Sequence, residues 1–388
     1  VLYPAPAGGN GGNTDVGITA TSIQLGMIQS ASGVLPGATS GSARGANAYF
    51  NYINANGGVF GRKLALNVQD DGFDITKAQA ACDRLIPASF ALVANYGVGD
   101  TGCYSAVKSS GIPWVGMYFL PFFFSLPNVF NPGFGNPLSE TDGGWLFRKS
   151  QHPTDIKLAM ITPKINGIQP FVDAQIKVVK AAGYDVVDSQ SLDTASPSFA
   201  SAVIEMRSKG VNAIDAFADD ITTVSRLAQA MAQQGFDPPV KVTTGGYDAK
   251  WQTLAGAGAV GWEAQLQTPP YLDHTELQAT PGGQLFLKWT AKTDPGTAID
   301  VFTTEGWNSA AYFVKALVAA GAKPTRANVI AALTAIKSFN NDGMLGESNP
   351  GDKLVTKCIV LVKATATGFV RIHPTQKGTY ACTGDVIL

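Results

Sequence analysis

The sequence predicts an α/β protein of two doubly wound lobes in tandem, and three observations carry that reading. Strand-like and helix-like patterns alternate twice along the chain. At 388 residues the chain exceeds what one small core accommodates. Apolar residues make up 45% and charged ones only 15%, with a formal net charge of −1, which describes a weakly charged globular protein. That balance excludes the basic face nucleic acid requires, and no apolar run reaches the length of a membrane span. The greasiest stretch, 114–124, is broken by Gly116 and Pro121.

The first series of elements starts with an apolar strand over 23–28, followed by a loop rich in Ser and Gly. A helix over 43–54 carries Ala46, Tyr49, Phe50 and Ile53 as one apolar stripe, and Gly57-Gly58 stops it. A strand over 64–69 comes next. Asp74 then caps a helix bearing Ala78, Cys82 and Leu85, which ends at Pro87. Buried strands over 90–95 and 112–117 flank a short helix, and the chain then passes through Pro- and Asn-rich sequence over 127–137.

The second series opens on a helix that Ser139 and Asp142 are expected to cap, with Trp145 and Phe147 inside it. A strand (156–161), a helix (170–182) and a strand (184–189) follow. Ser196-Pro197 has the form of a helix start, with a capping residue and then Pro at the first turn. Strands over 213–217, 240–244 and 262–268 alternate with a helix over 223–234 and a short one near Trp251. Helices over 284–293, 304–320 and 325–336 remain, and the tail returns to β character. A second lobe that interrupts the first would account for those late helices.

Residues 1–14, VLYPAPAGGNGGNT, read as a flexible leader without the basic start or apolar core of a signal peptide. Such a tether suits either an exported domain hung from an anchor or an ordinary disordered terminus. Four cysteines occur, with no C-x-x-C and no Cys/His cluster for zinc. Cys82 and Cys103 lie on neighbouring elements, and Cys358 begins a strand whose hairpin partner leads back to Cys382. The pairs Cys82–Cys103 and Cys358–Cys382 are therefore favoured over buried free thiols. Each would contribute about 3 kcal/mol in the chain-entropy model, and both imply an oxidising compartment.

Catalytic motifs are hard to find. Gly97-Val98-Gly99-Asp100-Thr101-Gly102 matches G-x-G-x-x-G after a strand. The helix that follows is barely two turns long, however, and no acidic residue stands where a ribose hydroxyl would need one. The competing reading is that these glycines let backbone approach a neighbouring loop or a ligand. Among the three histidines, His152 and His373 each precede Pro, and His274 sits in Asp273-His274-Thr275-Glu276, which reads as solvated charges at a helix start. The acidic pairs Asp70-Asp71 and Asp219-Asp220 precede helical segments, where carboxylates are favourable. No catalytic residue, metal ligand or cofactor is expected.

Several of these segments together carry a family likeness: the run 17–27, the small-residue helix with Arg44-Gly45-Ala46, and 51–58 with Phe60-Gly61-Arg62-Lys63. Gln69-Asp70-Asp71, Gly111-Ile112-Pro113, 127–130 and 306–312 extend it over nearly the whole chain. The sequence resembles the type I solute-binding proteins, in particular the branched-chain amino-acid (leucine/isoleucine/valine) binding proteins of ABC importers. The resemblance implies two lobes joined by three crossovers, near Phe130, Thr268 and Asn341, that close on a ligand as a hinged trap. Lobe 1 would be 15–130 plus 269–340, and lobe 2 would be 131–268 plus 341–388.

It also implies where a ligand is held. In lobe 1 these are Ser30 and Ser32 in the loop 29–36, Tyr96, Gly99-Asp100-Thr101, and Tyr118-Phe119-Leu120. In lobe 2 they are Asn166 beside Ile165, the strand end at Asp219-Asp220, and Tyr247-Asp248. Asp100 departs from the pattern, because a carboxylate there repels a ligand carboxylate by ~1 kcal/mol or more. The surplus aromatic surface of Tyr118, Phe119 and 122–124 points to an apolar or aromatic ligand with a polar head, with core packing as the competing role of 122–124. A branched-chain or other amino acid is the alternative ligand, and a receptor's ligand-sensing module the alternative role. The expected partners are a small molecule and an ABC permease, for a monomer outside the cytoplasm, anchored or free.

Overall fold

Two sets of strands and helices carry the chain, and the computed structural model describes residues 1–33, 37, 39–118, 120–134, 140–164 and 168–387. One unit comprises Val1–Asn136 with His274–Val355, and the other Pro137–Asp273 with Thr356–Leu388. The backbone therefore passes from one to the other three times.

The first unit contains β1 (Ser22–Gln29), α1 (Gly41–Ala55), β2 (Lys63–Asp70), α2 (Ile75–Leu85), β3 (Ala91–Asn95), α3 (Tyr104–Ser110), β4 (Trp114–Gly116) and β5 (Val129–Phe130). Its strands form a parallel sheet in the order β2-β1-β3-β4-β5. The second unit supplies β6 (Glu140–Thr141), α4 (Gly143–Gln151), β7 (Lys157–Pro163), α5 (Gln169–Ala181), β8 (Asp185–Leu192), α6 (Ala200–Ser208), β9 (Ala213–Ala216), α7 (Ile221–Gln233), β10 (Val240–Thr243), α8 (Trp251–Ala255) and β11 (Glu263–Leu266). The chain then adds α9 (His274–Leu277), α10 (Pro281–Thr293), α11 (Val301–Ala319) and α12 (Arg326–Ala335) to the first unit. It ends with β12 (Val360–Ala364), β13 (Phe369–His373) and β14 (Val386–Ile387) in the second. There the sheet order is β13-β12-β11-β10-β9-β7-β8, with β12 antiparallel to both of its neighbours, β11 and β13, and the other pairs parallel. The short strands β14 and β6 pair separately.

Strands buried on both faces are near-continuous apolar runs, as parallel sheets covered by helices require. Leu25, Met27 and Ile28 of β1 are wholly buried. Helix α1 packs on α11 through small residues: a Cβ on Gly45 would lie 1.9 Å from the Thr303 carbonyl oxygen, and one on Gly306 2.0 Å from that of Ser42. This close approach brings the start of α11 against β3. Asp74, Asp220, Thr280, Asp300 and Thr325 each cap a helix with a side-chain oxygen, worth about 0.5–2 kcal/mol apiece.

Three local expectations are corrected. Ser196 and Pro197 lie in the turn before α6, whose N-terminal flank is Phe199 without a side-chain cap; the Ser196 hydroxyl donates to the Ser198 carbonyl instead. Asp142 precedes α4 but accepts from the Asp385 amide at 2.7 Å rather than from the first turn, and Ser139 lies outside the described residues. Residues 1–14, read from composition as a flexible leader, carry defined contacts: Tyr3 pairs with Val59, and the buried Arg62 guanidinium donates to the carbonyls of Asn10 and Gly12. Both expected disulfides, Cys82–Cys103 and Cys358–Cys382, are formed.

Candidate ligand-binding site

In an open α/β sheet, ligands sit at the carboxyl ends of strands where the connections diverge. The first unit has that point between β1 and β3, and the second between β7 and β9. Most of the expected site residues fall on loops at these two edges.

In the first unit, Asp71 ties the loops together. Its Oδ1 accepts from the Ser30 hydroxyl at 2.6 Å and the Phe73 amide at 2.9 Å, while Oδ2 accepts from the Gly99 amide at 3.1 Å. The Ser30 hydroxyl also accepts from the Val98 amide at 2.8 Å. Loops after β1, β2 and β3 are thereby fixed through one wholly buried carboxylate, whose pKa is raised by that burial against its hydrogen bonds. Asp70 does the same outside: burial pushes its pKa up, but bonds from Ser32 and the Ala31, Ser32 and Gly72 amides outweigh it and hold it low. The expected helix-start role of this pair is corrected, because Asp74 caps α2. The Ser30 hydroxyl, buried, donates to Asp71 and accepts from the Val98 amide, so it positions the loop.

The glycine motif is explained by close packing. A Cβ on Gly97 would stand 2.6 Å from Asp71 Oδ2, and one on Gly102 2.1 Å from the Ile75 carbonyl oxygen. The glycines let this loop lie against α2. Asp100 is buried and Thr101 exposed. Tyr118 is buried in the cluster of α2, α3 and β4 side chains, stacked on Phe123 at 6.4 Å, and its hydroxyl has no partner among the described residues. Phe123 belongs to the same core, Phe124 lies under the Lys353 ammonium, and Phe122 packs on Tyr104 at 4.4 Å. Most of that aromatic run is thus spent on packing. Phe119 lies outside the described residues, as do 34–36.

The residue of this edge that the sequence reading misses is Glu305, which the expected Tyr96 reaches. Tyr96, just after β3, pairs with Gln29 of β1, meets Phe302 edge-on at 4.8 Å and hydrogen-bonds Glu305 on α11. Burial, with Asp300 adding to it, pushes the Glu305 carboxyl up to about 8. Its Oε2, the Gln29 Oε1 and the Asn95 Nδ2 are buried without hydrogen-bond partners among the described residues. No local sequence signal marks Glu305, since it lies mid-helix and reaches the edge only through the α1–α11 packing.

In the second unit, Asp219 follows β9 directly after Ala218, whose φ of +53° is the left-handed region. Its carboxylate accepts from the Gly245 amide and from the Thr243 hydroxyl at 2.8 Å. Burial still pushes Asp219 up to about 8, with Asp220 contributing. Asp220 is committed to α7, accepting from the Thr222 and Thr223 amides, and Asp248 accepts from the Lys250 amide at 2.7 Å. The Tyr247 ring is buried, edge-on to Tyr271 and Phe369 at 4.8 Å each. Asn166 and Ile165 lie outside the described residues. Glu276, expected to be solvated, is instead buried, and Asp273 pairs with Lys377 at 3.0 Å. No group of three or more His, Cys, Asp or Glu among the described residues is placed to hold a metal ion.

Two doubly wound units, three chain passages between them and polar loops at both strand-end edges define a class, the two-unit α/β solute-binding protein. The chain belongs to the periplasmic binding protein family, whose model matches residues 22–368. Solved structures share the fold. A fatty acid ABC transporter substrate-binding protein from Thermomonospora curvata has a TM-score of 0.75 at 18% identity, covering 97% of this chain and 100% of that one. The branched-chain amino acid transporter substrate-binding protein LivJ from Streptococcus pneumoniae, in complex with isoleucine, gives 0.72 at 15%, covering 91% and 100%. An ABC transporter solute-binding protein from R. palustris in complex with benzoate gives 0.69 at 19%, covering 94% and 97%. A search of curated proteins finds no match. The chain is thus a periplasmic binding protein of type I fold, and its family is extracytoplasmic. No helix among the described residues is long and apolar enough to cross a membrane.

Proposed function

We propose that this chain is the solute receptor of an ABC importer, acting as a monomer and handing an unaltered small molecule to a permease. The observation that carries the reading is the pair of strand-end edges, where buried carboxylates spend their hydrogen bonds on fixing the loops. The ligand has an apolar or aromatic body and a polar head. Fatty acid, isoleucine and benzoate, named for the structural neighbours, all fit that description. Ser32, Gly99, Asp100, Thr101 and Tyr118 in one unit, and Asp219, Asp220, Tyr247 and Asp248 in the other, belong to the loops that contact it. Ligand contact stabilises the bound conformation over the free one, so binding itself shifts the population.

A thermal-shift panel of amino acids, aromatic acids and fatty acids tests this, with each hit recovered and weighed by mass spectrometry. The expected result is a saturable shift with the ligand recovered unchanged. A hit returned chemically altered would make the chain an enzyme.

A further inference from the structure

We propose that Glu305, with Gln29 and Tyr96, forms a hydrogen-bond-accepting subsite on the α11 side of the β1/β3 edge, and that it receives a protonated amine on the ligand. The inference rests on the small-ligand reading of the same edge and names the head group.

Geometry comes first. Gln29 and Tyr96 pair in parallel register, so their side chains share one face. Tyr96 meets Phe302 of α11 at 4.8 Å, which identifies that face. Glu305 lies three residues further along, on the same side of the helix, and holds the Tyr96 hydroxyl.

Unmet hydrogen bonding comes second. Gln29 is 9% exposed, yet its Oε1 has no partner among the described residues, and Glu305 Oε2 has none either. Two buried oxygens left unmatched, both acceptors once Glu305 is ionised, are costly unless a donor arrives.

Charge comes third. Asp300, the N-cap of α11, adds negative charge beside Glu305. The cation on the adjacent helix, Arg44, is engaged by Asp300 at 2.8 Å and Asp294 at 3.7 Å. A ligand carboxylate would add repulsion there, whereas an ammonium supplies both donors and countercharge. The raised Glu305 carboxyl gives up its proton as the amine arrives, so affinity increases with pH.

The test uses the whole chain and matched probes. Leucine, 3-methylbutylamine and 4-methylpentanoate share one body; phenylalanine, phenethylamine and 3-phenylpropanoate share another. Calorimetric titration at pH 6.5 and 8.5 should show amine-bearing probes binding, more tightly at the higher pH, and the matched acids not. Glu305→Gln should weaken amine binding by about tenfold or more and remove its pH dependence. Gln29→Leu, which removes an acceptor but no charge, should also weaken it and serves if the first variant folds poorly. Acids binding while amines do not would overturn the amine subsite and leave the solute-binding reading standing. Amine binding indifferent to both variants would overturn the role of these residues. Silence from every probe at millimolar concentration would count against both.

Discussion

The Ser30 hydroxyl donates to Asp71 Oδ1 at 2.6 Å and accepts from the Val98 amide at 2.8 Å, so one serine joins the loops after three neighbouring strands. A serine in the first strand-end loop is thereby a loop-fixing residue, and the ligand meets what it holds in place. Removing it tests that division of labour. Ser30→Ala leaves the Val98 amide and the Asp71 carboxylate short of a partner, and should cost about 1–3 kcal/mol in urea denaturation. Ligand affinity should fall with it, because the Gly97–Gly102 loop is no longer fixed.

The glycine loop should tolerate no side chain where it meets α2. Gly102→Ala would place a Cβ 2.1 Å from the Ile75 carbonyl oxygen, an overpacking expected to cost about 1–3 kcal/mol. The loss should appear in the thermal midpoint of the protein without ligand. Dinucleotides should leave that midpoint unchanged, since these glycines face protein.

Stability should fall as pH rises from mildly acidic to mildly basic. Asp215 is raised to about 7 and Asp219 and Glu305 to about 8, each chiefly by burial. A carboxyl with a raised folded-state pKa binds more protons folded than unfolded across that window, so its stabilising effect is full below its unfolded value near pH 4 and is lost as pH climbs through 7 to 8. The urea midpoint should therefore be higher at pH 5 than at pH 8, and Asp215→Asn should flatten the slope. Lys353 acts in the opposite sense at higher pH. Burial lowers it to about 8, so its contribution rises between that value and its unfolded one near 10.5. A midpoint that climbs from pH 5 to pH 8 would contradict the assignment.

The Cys82–Cys103 bridge closes a sequence separation of 21 residues and joins α2 to the turn that carries Thr101. Replacing both cysteines by serine should cost about 3 kcal/mol in the chain-entropy model. Amide exchange should rise over 99–104 before it rises elsewhere.

The alternation of strand and helix was legible because each element is periodic and stopped by its own punctuation, as with Gly57-Gly58 after α1 and Asp74 before α2. Cysteine spacing likewise led to both bridges. What stayed hidden depended on contacts distant in sequence. Asp70-Asp71 has the look of a helix start, yet the chain makes one more turn before Asp74 takes that role, which frees Asp71 for Ser30 and Gly99. Ser196-Pro197 carries a capping signature that the chain spends on a turn. The run 122–124 reads as surplus aromatic surface, and only tertiary packing shows that Phe123 is buried core against Trp114, that Phe124 lies under Lys353, and that Phe122 stays exposed beside Tyr104. Glu305 reaches Tyr96 across more than two hundred intervening residues, a juxtaposition that no local pattern encodes.

The most direct test of the central claim, that this chain captures a small molecule without reacting with it, is native mass spectrometry of the purified protein after incubation with a metabolite extract. The account predicts a one-to-one adduct of low mass that dissociates on unfolding and is recovered intact. A protein that carries no adduct from any extract, or that releases a chemically changed compound, would contradict it.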